Sequence, residues 1–348
     1  MYYILIHSLF VKRELILTKH FNWINGIDIN ELNICADIIR NKGTVVFPTE
    51  TVYGIGANAK EEEAVKKIYE AKGRASDNPL IVHISDKEQI DELCIIENDI
   101  EKSLIDEFMP GPFTLVLKKK PIIPNIVSAN LDTVGIRMPS NKIANSFIKA
   151  CKVPIAAPSA NVSGKPSGTK IEDIEGELEG KVDVFIDGGN SDIGLESTVV
   201  KVIDNIPVIL RPGRITAEEI KQAIGCVKIN DKVLGKVEKG EKVESPGMKY
   251  RHYAPNTKCI LIDIEDEEVR VKRINEIIKQ NQNSCVLGFL EHKDKINLKK
   301  YVVLGKKNDL EEISKNIYAE LRKVDNYNVD LVIIEAVPKK RHRACYNE

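Results

Sequence analysis

No two of the seven cysteines (Cys35, Cys94, Cys151, Cys226, Cys259, Cys285, Cys345) form a Cys-x-x-Cys pair. Scattered singly, they offer neither a zinc site nor a disulfide framework and read as free thiols of a reduced, cytoplasmic compartment. No segment approaches the ~18 apolar residues of a membrane span, so no membrane partner is expected. The apolar start, Met1 to Phe10, contains His7 and is ended by Lys12 and Arg13. It has no cationic stretch ahead of it and no small-residue cleavage site, so no signal peptide is expected. Neither sign of charge dominates: 51 Lys and Arg against 52 Asp and Glu leave a net charge of −1. That removes the global positive field of a bulk nucleic-acid binder and makes DNA an unexpected partner. Any anion site must come from local clustering.

What is present is an ordinary core-forming composition, 43% hydrophobic and 30% charged, in 348 residues, enough for two domains. We expect a peripheral strand or extension over residues 1–24, a first domain over 25–227, a charged linker over 228–256 and a smaller α/β domain over 257–348. In that last part strands and helices alternate, which predicts a largely parallel sheet.

The first domain is organised around Thr44 to Ile84. The strand signal Thr44-Val45-Val46-Phe47 stops at Pro48, and a hydroxyl-rich turn (Thr49, Glu50, Thr51) leads to Tyr53, Gly54 and Gly56. Glu61 to Ala71 has helical periodicity, Lys72-Gly73-Arg74 sets two cations around a glycine, and Leu80 to Ile84 is a second strand containing His83. Loops at strand ends are where open α/β sheets bind ligands. Gly54-Ile55-Gly56-Ala57-Asn58-Ala59 imitates a dinucleotide fingerprint, but Pro48 breaks the approach that such a motif needs. Ser159 to Pro166 imitates a P-loop but lacks its first glycine and its Ser/Thr.

The cations carry more. Lys72, Arg74, Arg137 and Arg211 each stand at an element's end beside Gly or Pro. Singly, each has a surface charge as its plain alternative. Together, beside the hydroxyls and amide of Ser159, Asn161, Ser163 and Ser167, they predict a triphosphate or other polyanion site. His83 in an apolar strand could equally be a satisfied core histidine. Glu50, Asp187 and Glu196 are the only acids within these motifs. They show no metal-ligand spacing, so no protein-held metal is expected, and Mg2+ would ride on substrate phosphates.

Thr49-Glu50-Thr51-Val52-Tyr53-Gly54, Lys72-Gly73-Arg74, Asn78-Pro79-Leu80, Gly135-Ile136-Arg137-Met138-Pro139, Ala157-Pro158-Ser159-Ala160-Asn161, Ser197-Thr198-Val199 and Arg211-Pro212-Gly213 together resemble the YrdC family. Ser245 to Pro255 (SPGMKYRHYAP) resembles the linker of its longer, two-domain members. The resemblance implies a twisted open mixed sheet with helices and a basic concave cleft, plus a smaller Rossmann-like α/β domain. It implies a threonylcarbamoyl-AMP synthase, a nucleotidyltransferase that makes threonylcarbamoyl-adenylate and pyrophosphate from L-threonine, bicarbonate and ATP. Partner proteins would then transfer the threonylcarbamoyl group to tRNAs reading ANN codons. By resemblance, Thr51, His83, Arg137, Ala157 and Ser197 hold threonine. Arg74, Asn78, Thr133, Ser159, Asn161, Ser167 and Arg211 hold ATP, joined by Tyr250 or Tyr253 from the linker. Lys72 and Arg74 are the expected catalytic pair, whose replacement by alanine should cost turnover far more than stability.

The chain departs from the family pattern after Glu335, where Ala336 to Glu348 lacks the expected glycine-rich turn and final helix, so its end reads as truncated or altered. Two other classes fit the residues less fully. One is an RNA-binding module of the same fold; the other is a carbamoyl-transfer enzyme, whose known forms carry zinc-finger and acylphosphatase segments that this sequence lacks.

Overall fold

The computed structural model describes residues 17–231 and 255–337. Tyr250, Tyr253, most of the expected linker and residues 338–348 lie outside the described residues. In chain order the first part comprises β1 (Lys19–Asn22), α1 (Ile29–Arg40), β2 (Val45–Phe47), β3 (Gly54–Asn58), α2 (Glu62–Lys72), β4 (Ile81–His83), α3 (Gln89–Leu93), β5 (Cys94–Ile95), α4 (Asp99–Phe108) and β6 (Phe113–Lys119). It continues with β7 (Thr133–Arg137), α5 (Lys142–Cys151), β8 (Ile155–Ala156), α6 (Glu175–Leu178), β9 (Val184–Asp187), β10 (Thr198–Ile203), β11 (Ile206–Arg211), α7 (Ala217–Ile224) and β12 (Lys228–Ile229). After residue 255 come β13 (Lys258–Ile262), α8 (Glu267–Gln280), β14 (Ser284–Phe289), β15 (Tyr301–Gly305), α9 (Leu310–Lys323) and β16 (Leu331–Glu335).

The first twelve strands make one mixed sheet in the order β1-β9-β2-β3-β8-β4-β7-β6-β10-β11-β12, with β5 paired to β6. Its central strands are apolar at successive positions because helices cover both faces. Val45, Phe47, Ile155, Val184 and Ile186 pack with α1 and α5. The alternate residues Val46, Ala156 and Phe185 pack on the other side with α2 and α4. A two-residue period sends neighbours to opposite faces, so one short run serves two cores. The last four strands form a separate, all-parallel sheet, β13-β16-β14-β15. Cys285, Leu287 and Phe289 pack toward Ile313 of α9, and Val286 toward Ile274 and Ile278 of α8. The six described cysteines are free. Among the described residues no helix is long and apolar enough to cross a membrane.

Two local expectations change. Gly54–Asn58 is a strand, antiparallel to β2, with Gly54 opposite Phe47. The Thr-Glu-Thr turn is therefore a hairpin connection, and the glycines serve close strand packing. Lys228–Ile229, expected to open the linker, pairs in parallel with β11 and extends the sheet.

Candidate active site

The site forms where β4, β7 and β8 meet the turn after β2. In the parallel pairing of β4 with β7, His83 lies opposite Arg137 and Ile81 opposite Gly135. Partners in register project to the same face, so His83 and Arg137 stand side by side. The Thr49–Val52 turn closes on itself: Thr49 Oγ1 donates to the Val52 carbonyl at 2.6 Å and accepts from the Val52 N–H at 3.2 Å. That fold-back aims the next two side chains at one guanidinium. Arg137 Nη2 donates to Glu50 Oε1 at 2.7 Å and to Thr51 Oγ1 at 2.9 Å.

The same device recurs at Arg211. Its Nε and Nη2 donate to the Ser197 carbonyl at 3.2 and 2.9 Å, and Nη2 also donates to Ser197 Oγ at 3.0 Å. Glu196 Oε2 lies 3.6 Å from the same guanidinium, and its Oε1 accepts from Ser167 Oγ at 2.8 Å. Each buried arginine is thus oriented by an acid followed by a hydroxyl residue, Glu50-Thr51 in one case and Glu196-Ser197 in the other. Thr114 of β6 joins Ser197 hydroxyl to hydroxyl at 2.8 Å.

Helix α2 separates the expected catalytic pair. It ends at Lys72, and Gly73 reverses the chain at φ +59°, a conformation glycine adopts without strain. Arg74 emerges over the cleft, its Nη2 donating to the Pro79 carbonyl at 3.0 Å. Lys72 turns inward, is 1% exposed, and donates Nζ to the carbonyls of Ser159 and Asn161. Its own carbonyl accepts from Ser163 N–H at 3.0 Å. Lys72 therefore ties the turn after β8 to α2. Burial, and then the charge of Arg74, hold its ammonium well below the usual lysine range. His83 is pushed down to about 3 by burial and then by Arg137, so the ring is neutral at pH 7.

Arg74, His83, Arg137, Ala157, Ser159 and Arg211 line one cleft, together with Glu196. Thr51, Ser197 and Ser167 stand directly behind its charged groups, through the bonds given above. Thr133 opens β7 two residues before the partner of Ile81, at the same end as Asn78 and Arg74. Both are buried, and Thr133 Oγ1 and Asn78 Oδ1 have no hydrogen-bond partner. Asn161 accepts from Ser159 Oγ at 2.7 Å and donates to the carbonyls of Val162 and Lys165 at 2.9 and 2.8 Å. Its amide organises the turn. Glu50 and Glu196 were legible as the acids of their motifs, but their pairing with the arginines was not. Thr114 carried no signal in the sequence.

Three arginines against two carboxylates, with hydroxyls and a neutral imidazole, make a positively charged cleft in a mixed α/β sheet, of a chemistry suited to anions. Residues 37–213 match the Sua5/YciO/YrdC family, described as "Telomere recombination", and residues 215–347 match "Threonylcarbamoyl-AMP synthase, C-terminal domain". The threonylcarbamoyl-AMP synthase of Pyrococcus abyssi is 42% identical over 310 residues, covering 89% of this chain and 90% of the relative. That of Bacillus subtilis is 45% identical over 308 residues, 87% of each. The crystal structure of P. abyssi Sua5 complexed with L-threonine superposes with a TM-score of 0.87 at 40% identity, covering 94% of this chain and 95% of that one. Escherichia coli YciO, at TM-score 0.54 and 23% identity, shares the fold. The chain belongs to the Sua5/YrdC family, in its long form with the threonylcarbamoyl-AMP synthase C-terminal domain.

Proposed function

We propose that this chain is a threonylcarbamoyl-AMP synthase, acting as a nucleotidyltransferase on L-threonine, bicarbonate or CO2, and ATP. The observation that carries this reading is the pair of buried arginines, Arg137 and Arg211, each held by its own Glu-hydroxyl dipeptide and both lining one cleft. Two fixed cations in one cleft suit a reaction that brings two anions together.

The threonine amine, as its free base, adds to CO2 and loses a proton to water, and the carbamate that forms carries its charge on oxygen. That oxygen attacks the α-phosphorus of ATP, the bond from this phosphorus to the bridging oxygen of the leaving group breaks, and pyrophosphate departs with the electron pair. The nucleophile is already anionic, so no nucleophilic side chain is consumed. The work left to the protein is alignment and neutralisation of charge. In this reading Thr51, His83 and Arg137 take the threonine end with Ala157 and Ser197. Arg74, Asn78, Thr133, Ser159, Ser167 and Arg211 take the nucleotide, and Lys72 and Asn161 hold the turn that presents Ser159. Tyr250 or Tyr253 would add to the nucleotide end.

Mg2+ fits as a companion of the nucleotide. Glu50 and Glu196 are each paired with an arginine, so the donor set resembles no carboxylate cage, and phosphate oxygens and water would carry the ion. The product is an activated acyl group. Its use requires a transferase acting on tRNA in the cytoplasm. Residues 25–227 would bind the substrates, 228–256 would link, and 257–348 would form a second domain. Pyrophosphate release with ATP, Mg2+ and bicarbonate tests the reading: it should require L-threonine and fail with serine. Threonine-independent release would overturn it.

A further inference from the structure

Helix α9 belongs to the second sheet, yet its polar edge reaches the loops behind the cleft on the first. Arg322, in its last turn, has a side chain only 9% exposed. Its Nη1 donates to the Pro166 carbonyl, and its Nη2 to the Asp173 carbonyl and, at 2.6 Å, to Glu177 Oε1. Glu177 passes the contact on, since its Oε2 accepts from the Val162 N–H at 2.9 Å. One guanidinium therefore grips both ends of the turn from Val162 to Pro166. The residues flanking that turn stand just behind the cleft. Asn161 receives Lys72 on its carbonyl, and Ser167 donates to Glu196.

A planar fork bonded to two main-chain carbonyls and a carboxylate fixes direction as well as distance. A buried guanidinium in this geometry is costly to leave unmade, unlike an exposed ion pair. About two turns earlier in α9 the backbone of Ser314 and Lys315 closes on Gly194. A Cβ at position 194 would stand 2.7 Å from the Ser314 carbonyl oxygen and 2.9 Å from Lys315 Cα. Helix α9 therefore has a second seat on the first sheet's loops, which should keep it docked without Arg322.

We infer that Arg322 is a positioning residue for the nucleotide end of the cleft, holding the Val162–Pro166 turn through Glu177 and two main-chain carbonyls. The inference rests on the synthase reading for which substrate binds there. It makes the second sheet part of the active-site scaffold. Thr51, His83 and Arg137 are fastened separately, by the β4–β7 pairing and by Glu50. Loss of Arg322 should loosen one end of the cleft and spare the other.

The test uses the full chain with Arg322→Ala and Arg322→Lys, and two readouts. In Arg322→Ala, amide hydrogen exchange should quicken over residues 158–168 and stay unchanged over 81–84 and 133–138. The KM for ATP should rise about tenfold, the usual scale for losing a charge-assisted contact, while the KM for threonine holds. Arg322→Lys, which cannot reach all three acceptors at once, should recover part of both effects. If Arg322→Ala does not fold, Glu177→Gln is read the same way. Unchanged exchange over 158–168, or a parallel rise in both KM values, would overturn the inference. Absence of threonine-dependent turnover in the unaltered protein would sink the synthase reading alone, because the exchange readout does not depend on it.

Discussion

Arg137 and Glu50 meet at 2.7 Å with side chains 5% and 6% exposed, and each keeps a polar atom unused. Glu50 Oε2 and Arg137 Nε are buried without a hydrogen-bond partner. A buried pair placed for stability alone would satisfy its remaining valences, since desolvation otherwise offsets the attraction. Here the carboxylate leaves the guanidinium oriented and part of its hydrogen-bonding capacity open to a ligand oxygen. Glu50→Ala would strand the arginine's charge. We expect a loss of about 3–5 kcal/mol in unfolding free energy, and a larger rise in the KM for threonine than for ATP. Urea denaturation and steady-state kinetics measure the two effects, and a variant of unchanged stability would refute the account.

Lys72 and Arg74 should behave differently although one glycine separates them. Arg74 is half-buried at the cleft, so Arg74→Ala should lose most turnover and less than ~1 kcal/mol of stability. Lys72 is enclosed and bonded to two carbonyls, so Lys72→Ala leaves a void and orphaned acceptors, costing about 3 kcal/mol or more. Lys72→Met keeps the stem and removes the bonds, which separates packing from hydrogen bonding. Equal thermal shifts in Arg74→Ala and Lys72→Ala would show that the ammonium does not hold the turn.

His83 supplies a pH dependence with a definite sign. In the folded protein its pKa is pushed down to about 3, by burial first and Arg137 second, against 6.5 for the unfolded chain. The unfolded state therefore takes up a proton that the folded state refuses. The stability this group contributes is complete above pH 6.5 and falls as pH drops toward 3, by ~1.4 kcal/mol per unit. Between pH 7 and pH 5 the unaltered protein should lose about 2 kcal/mol more than His83→Asn. The other histidines are common to both proteins and cancel in the difference. Parallel stability curves would mean that His83 is protonated in place.

These expectations show what the sequence could and could not carry. Helices with clear periodicity were legible: the expected Glu61 to Ala71 is found as Glu62–Lys72. The cations were legible because each stands beside a Gly or Pro that ends an element. Their partners were not, because Arg137 and Glu50 are 87 residues apart and meet only through the strand order that carries the turn after β2, by way of β3, β8 and β4, to the end of β7. Lys72 read as a cleft cation because composition cannot tell which way a side chain leaves a helix end. Arg322 carried no signal in the sequence, and only the packing of one sheet's helix on the other sheet's loops gives it a role.

The strand missed at Gly54–Asn58 gives a last test, of why its glycines are there. Gly56 lies opposite Val45 in the hairpin. A Cβ on it would stand 2.6 Å from Ile155 Cγ2 and 2.8 Å from the Phe47 ring. Both neighbours are fully buried core residues with little room to retreat. If these glycines formed a phosphate-binding loop, Gly56→Ala would chiefly weaken ATP binding and leave folding intact. As strand residues beside the core they make the opposite prediction. Gly56→Ala should destabilise by about 1–3 kcal/mol, the range for overpacking. Phe47 stands edge-on to His83 with ring centroids 6.2 Å apart. Displacing Phe47 should therefore be felt first at the threonine end of the cleft. Thermal unfolding together with both KM values decides between the two: a stable variant impaired only in ATP binding would return Gly56 to a phosphate loop.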